Sequence, residues 1–99
     1  MDEIQKYNRH IAALQHAITN LEFQHHQLML HYRHKVKPFL RESRDKQMEA
    51  MNLFERKFVI HKELETKRVL LDFFEVRKEK YELDYLYTTE EEDSEASME

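Results

Sequence analysis

Histidine is the residue type in this chain best suited to metal chemistry. The sequence has seven histidines among its 99 residues, and five of them fall between positions 16 and 34. Glu22 and His25 have the Glu-x-x-His spacing with which one helix presents two ligands to a di-metal carboxylate site. His61 and Glu65 offer comparable ligands from a second helix. A complete site of this kind needs a second Glu-x-x-His pair, which the sequence lacks, so we expect no cofactor. A metal-binding helical bundle is therefore kept only as an alternative.

Catalysis by a nucleophile or a phosphate-binding loop finds little support. The chain has no cysteine and no glycine, so it has no thiolate nucleophile, no disulfide and no glycine-rich loop. Its serines are Ser43, Ser94 and Ser97, and two of these lie near the acidic C-terminal end. A side chain in such a segment lacks the fixed geometry that catalysis requires. We therefore expect that the protein is not an enzyme.

Positive charge is concentrated between residues 31 and 46, where six Lys or Arg residues accompany two acidic residues. Tyr32 and Phe39 are interleaved with them, and basic and aromatic side chains together suit the phosphates and bases of nucleic acid. No zinc-finger, RNP or basic-zipper pattern accompanies the segment. An acidic protein surface or a solvated connection between helices fits it as well. The candidate polyanion-binding residues are Arg33, Lys35, Lys37, Arg41, Arg44 and Lys46.

Negative charge is concentrated at the other end of the chain. Residues 82–99 contain eight Asp or Glu residues and no Lys or Arg, although the net charge of the whole chain is only −4. The last part, residues 88–99, has low hydrophobicity and is expected to be a disordered acidic tail. Such a tail solubilises the chain, masks the basic segment, or imitates a nucleic-acid backbone as a small inhibitor would.

The stretch from Ile4 to Tyr32 must position these groups, because its apolar residues recur at alternating spacings of three and four. This pattern predicts a helix that packs along another helix over four heptads. Only His25 interrupts the apolar seam, and burial there would lower the pKa of its imidazole. The seam consists of Ile4, Tyr7, Ile11, Leu14, Ile18, Leu21, His25, Leu28 and Tyr32.

The chain as a whole is predicted to be all-α. Lys37 precedes Pro38, and proline disfavours helical dihedrals at the residue before it, so a connection is expected there. Helix 1 is predicted at about residues 3–36 and helix 2 at about 42–81 or longer. Residues 1–87 then form one domain, a long antiparallel helical hairpin or coiled coil. Tyr, Leu and acidic residues alternate over residues 81–87, so a short strand is the alternative for that segment.

Helix 2 carries more apolar residues than one partner helix can cover. Six of the eight residues from 69 to 76 are apolar, and a helix that is apolar over most of its circumference is covered from several directions. We therefore expect a homodimer, with two hairpins forming a four-helix bundle. The predicted interface residues are Ile11, Leu14, Ile18, Leu21, Leu28, Leu64, Val69, Leu70, Leu71, Phe73, Phe74 and Val76.

Together these features favour a non-enzymatic protein-protein interaction module, such as an adaptor, a chaperone or an assembly factor. The first alternative is a small regulator or inhibitor that acts on a nucleic-acid-binding machine through the basic segment or the acidic tail. The sequence has no apolar run of the roughly 18 residues that a membrane span requires and does not begin like a secretion signal. We expect a cytoplasmic protein with a protein partner and no membrane contact.

Overall fold

The chain forms a helical hairpin. The computed structural model describes the backbone of residues 2–98 and the side chains of residues 2–86. Helix α1 spans Asp2–His31 and helix α2 spans Arg44–Met98. The two helices are antiparallel, because Tyr7 contacts Tyr81 at one end of α1 and Tyr32 contacts Phe54 at the other. The molecule is a rod of 85 × 16 × 15 Å.

This architecture confirms the prediction of an all-α hairpin. Residues 2–98 contain no strand, and residues 81–87 lie within α2, so the alternative of a short strand there is wrong. In the described part of the chain, neither helix has a stretch long and apolar enough to cross a bilayer. The acidic tail at 88–99 has its side chains outside the described residues, and its disorder stays a prediction.

The seam predicted for α1 faces α2 along its whole length. Ile18, Leu21 and Leu28 are buried, and the other six seam positions are half-buried. Asp2 and Glu3 lie in the first turn, where their negative charge favours the helix dipole. A stripe with this spacing stays on one side of a helix only when the helix winds slightly around its partner. The nine seam residues therefore determine which side of α1 packs against α2.

The matching seam of α2 contains both apolar residues and lysines. Ala50, Leu53, Ile60 and Leu64 are buried and form one core with the seam of α1. At the same three-and-four spacing come half-buried lysines and, farther along, half-buried aromatic residues. Lysine is compatible with such positions because its aliphatic stem covers apolar surface while its ammonium group reaches water. The other seam positions of α2 are Lys46, Lys57, Lys67, Leu71, Phe74, Lys78 and Tyr81.

The connection departs from the predicted helix ends. The α-helix stops at His31, five residues before the expected end, and a π-helical turn over Tyr32–Val36 follows it. Pro38 has no backbone N–H to donate, and in a continuous α-helix its ring would clash with the carbonyl group four residues earlier. The chain adapts by widening the preceding turn, so that the N–H of Lys37 donates to the carbonyl of Tyr32. A 3-10 turn over Lys37–Phe39 then completes the change of direction.

The reversal uses no left-handed residue within the described chain, as expected for a sequence without glycine. The fully buried Val36 has φ −119° and ψ −57°, and this residue redirects the chain. The hydroxyl of Ser43 accepts a hydrogen bond of 3.4 Å from the N–H of Lys46, so Ser43 caps α2. The amide of Gln47 donates to the carbonyl of Leu40 at 2.8 Å and ties the turn to the new helix.

Candidate protein-binding surface

A second apolar stripe runs along α2 on the side that faces away from α1. Its members are all exposed, with 64% of Val69 and 63% of Phe58 accessible to solvent. At 100° per residue they fall within about 80° of one another, opposite the buried seam. We call this stripe the outer face of α2; it consists of Met51, Phe58, Val69, Phe73, Val76 and Leu83.

This apolar exposure is strongly asymmetric between the two helices. Among the described side chains, Phe23 is the only exposed large apolar residue of α1, and Phe39 is the only one in the connection. All other exposed large apolar residues belong to α2. Large apolar stripes on a small protein mark sites of interaction with other macromolecules. The outer face of α2 is therefore the candidate binding surface.

Polar residues divide the outer face into two apolar parts. The ammonium of Lys62 and the carboxylate of Glu65 are 4.0 Å apart in the middle of the stripe. The same ammonium lies 5.6 Å from the ring centroid of Phe58, and the Arg77 guanidinium lies 5.2 Å from that of Phe73. Each cation lies over one side of its ring, and both Phe58 and Phe73 stay exposed. A shallow groove of about 420 Å³ runs between Phe58 and Val69.

A larger groove, of about 590 Å³, lies beside the helix seam near the connection. Phe23 of α1 and Arg56 of α2 lie at its sides, and the buried residues Leu28 and Leu53 line it. The Nε2 atom of His31 and a carboxylate oxygen of Glu49 join the helices here at 2.8 Å. Hydrogen bonds from His31 and from Lys46 lower the pKa of the Glu49 carboxyl. The groove thus combines apolar walls with a charged polar edge.

The predicted interface residues fall into two groups with different surroundings. The members from the seam pack inside the hairpin, and Leu64 is only 4% exposed. The members from the outer side of α2 point into solvent. The first group is Ile11, Leu14, Ile18, Leu21, Leu28, Leu64, Leu71 and Phe74, and the second is Val69, Leu70, Phe73 and Val76. Only the second group is available to a further partner.

The metal candidates come together only in part. The rings of His25 and His61 meet across the seam, with their centroids 4.9 Å apart. Glu22 instead contacts Arg68 at 3.3 Å, and Glu65 contacts Lys62. Within the described residues, no group of three or more His, Asp or Glu side chains is arranged to hold a metal ion. The two histidines thus form a ring contact between the helices.

His25 is the polar residue of the α1 seam. Its Nε2 atom is buried and makes no hydrogen bond. Burial lowers the pKa of His25, and the charges of His61, Lys57 and His26 lower it further. Each of these effects opposes protonation, because a charged imidazole would lose water and stand beside other cations. The seam therefore favours the neutral form of His25.

The basic residues gather at one end of the rod. Arg33, Lys35, Lys37, Arg41 and Arg44 are exposed in or beside the connection, whereas Lys46 is half-buried and pairs with Glu49 at 3.1 Å. We call these six residues the basic tip. Helix α2 leads away from it toward the acidic residues 82–99, so the two charged regions follow opposite ends of the described hairpin. This charge separation makes it harder for the tail to mask the basic segment of its own chain.

Sequence reasoning missed the half-buried lysines of the α2 seam, although a signal for them exists. The buried residues Leu53, Ile60 and Leu64 continue at spacings of three and four only if Lys57 and Lys67 are included. An apolar search passes over them because lysine is counted as polar. The π-helical turn has no comparable signal, since a proline predicts that the α-helix is interrupted but not how the preceding turn accommodates it. Comparison of the chain with protein-family models, characterised proteins and solved structures finds no match.

Proposed function

We propose that the protein is a non-enzymatic helical interaction module that binds another protein through the outer face of α2. The observation that carries the proposal is the exposure of Phe58, Val69, Phe73 and Val76 on one side of a helix whose other side is already paired. Leaving this much apolar surface in water is unfavourable, and a partner that covers it gains the corresponding free energy. On this basis we propose a role as an adaptor, a chaperone or an assembly factor.

The partner surface that best fits the outer face is another amphipathic helix. Met51, Phe58, Val69 and Val76 recur at one side of α2 over about 38 Å at 1.5 Å per residue. A long narrow stripe of this kind is complementary to a helix laid along it rather than to a compact ligand. The cations beside Phe58 and Phe73 then form a polar rim that limits the contact to the stripe.

Site-specific photocrosslinking in the native cell tests this proposal. A benzophenone amino acid replaces Val69 on the outer face in one variant and His16 on the exposed side of α1 in the matched control. We expect discrete protein adducts from position 69 and none from position 16. The adducts from position 69 should disappear when Val76 is also changed to Asp. Equal labelling from both positions, or none from either, would refute the proposal.

The second candidate function is polyanion binding at the basic tip. It is favoured by the exposure of five cationic side chains at one end of the rod. Binding through these groups would release counterions and weaken steeply as salt rises. A titration with single-stranded nucleic acid at several salt concentrations tests it, with Arg41→Gln and Arg44→Gln together as the informative variant. An affinity that is insensitive to both salt and this double substitution would eliminate the candidate.

A further inference from the structure

We infer that the helix covering the outer face of α2 is α2 of a second copy of this chain, running in the opposite direction. This inference rests on the proposed function, because it names the occupant of the same surface. Its first support is the symmetry of the stripe. Three pairs of residues on this side of α2 are centred on the same level along the helix axis, midway between Glu63 and Leu64. The pairs are Met51 with Val76, Phe58 with Val69, and Lys62 with Glu65.

A two-fold axis at this point would make the stripe complementary to itself. In an antiparallel pair, Phe58 of one copy lies level with the partner's Val69, and Met51 lies level with the partner's Val76. Lys62 lies level with the partner's Glu65, so the polar middle of the stripe contributes opposite charges on both sides of the axis. An isologous interface requires such self-complementarity, because every contact occurs twice: if one residue contacts a second residue of the partner, that second residue also contacts the first residue of the partner.

The parallel arrangement lacks these pairings. With the two copies in the same direction, Lys62 would face the partner's Lys62 and Glu65 would face the partner's Glu65. Like charges at facing positions of paired helices are unfavourable. The two ends of the rods would also coincide, which brings basic tip to basic tip and the acidic residues 82–99 beside their own copies. The charge pattern along the chain therefore favours the antiparallel pair.

The antiparallel pair brings opposite charges together at each end. With the axis at the level between Glu63 and Leu64, Arg44 lies level with the partner's Leu83, which stands between Glu82 and Asp84 at the start of the acidic segment. The basic tip of each copy thus adjoins the start of the partner's acidic segment. The acidic end then acts on the basic segment of the other copy instead of its own. Two hairpins joined in this way form a four-helix arrangement with both α2 helices at its centre.

Distance measurements between spin labels test the inference, and the chain suits them because it has no cysteine. Thr66→Cys and Lys80→Cys each introduce one label at an exposed site, and the two sites occupy the same heptad position. In the antiparallel pair the axial separation of the labels is about 8 Å at position 66 and about 50 Å at position 80. In a parallel pair both variants give the same short distance.

The result expected is a short distance at position 66 and a long one, near 50 Å, at position 80. Equal short distances would overturn the antiparallel arrangement. Absence of dipolar coupling in both variants, with a monomeric mass by light scattering, would overturn self-association altogether. In that case discrete adducts with another protein from position 69 would still support the proposed function, so the two failures are distinguishable.

Charge reversal provides an independent measurement. Lys62→Glu places a carboxylate level with the partner's Glu65 at two places in the dimer, and we expect the dimer to dissociate roughly 3–30-fold more readily. Adding Glu65→Lys restores opposite charges at both places and should recover the wild-type dissociation constant. Equal dissociation constants for the wild type and Lys62→Glu, measured by sedimentation equilibrium, would contradict the proposed register.

Discussion

Truncation of two leucines on α2 provides the sharpest test of how the hairpin is packed. Leu64 is 4% exposed and lies in the seam, whereas Leu70 is 40% exposed and lies outside it. Leu64→Ala and Leu70→Ala are chemically identical changes six residues apart on one helix. Any difference in their effect on the free energy of unfolding therefore reflects the surroundings of the two side chains and not helix propensity.

The magnitude follows from burial. Removing a buried leucine side chain costs about 2–5 kcal/mol, and the larger values belong to sites that cannot collapse. The seam of a two-helix hairpin is open to solvent on both sides, so we expect a loss of about 2–3 kcal/mol for Leu64→Ala. Leu70→Ala removes a side chain that stays largely hydrated, and its loss should be about 1 kcal/mol or less. The predicted difference is thus about 2 kcal/mol.

Urea denaturation followed by circular dichroism at 222 nm measures this difference. The titration is performed at several protein concentrations, because association stabilises the folded chain by an amount that rises with the logarithm of the concentration. The comparison is made at the lowest concentration, where each hairpin stands alone. Equal losses for the two variants there would refute the assignment of Leu64 to the seam. A loss for Leu70→Ala that grows with concentration would instead report burial of that residue in the dimer.

Three further outcomes are expected. Burial and nearby charges lower the pKa of His25, so the unfolded chain binds a proton more readily than the folded one. The free energy of unfolding should therefore fall as the pH drops from about 7 to 5, and His25→Leu should flatten this dependence. A mutant with the full wild-type pH dependence would show that another group is responsible. Glu22→Gln breaks the ion pair with Arg68, and both side chains of this pair are more than half exposed. Urea titrations should therefore show that the free energy of unfolding decreases by less than about 1 kcal/mol, and that this decrease vanishes in 1 M salt. A larger decrease that is insensitive to salt would contradict this expectation. Truncation before Thr88 removes six acidic residues and changes the net charge from −4 to +2. The shortened chain should therefore elute from a heparin column at higher salt than the full chain. Unchanged elution would show that the tail does not limit access to the basic tip.

Much of the fold was accessible from the sequence because it depends on local patterns. The three-and-four spacing of the α1 seam predicted which side of that helix is covered, and the structure places all nine seam positions against α2. Pro38 predicted the position of the connection because a proline constrains its neighbours whatever surrounds them. The antiparallel hairpin follows from two long helices joined by a short connection.

The ends of the helices needed the structure. The π-helical turn at Tyr32–Val36 depends on how the backbone accommodates Pro38 while keeping Val36 buried. That balance involves contacts from both helices, and no local pattern records it. The candidate site was predicted only in part for the same reason, since the interface residues named from the sequence include both buried seam residues and exposed residues of the outer face.

The sequence by itself determined that the chain forms two long helices, that α1 has one apolar side, and that opposite charges accumulate in separate segments. Tertiary structure decided which of the two apolar stripes of α2 packs against α1. Both stripes have the helical period, so periodicity cannot distinguish them. The chosen stripe is interrupted by long lysines such as Lys57 and Lys67, whose stems cover the seam while their charges reach water. The stripe left outside contains the ion pair of Lys62 with Glu65, and the carboxylate of Glu65 would be partly desolvated in the seam, which is unfavourable.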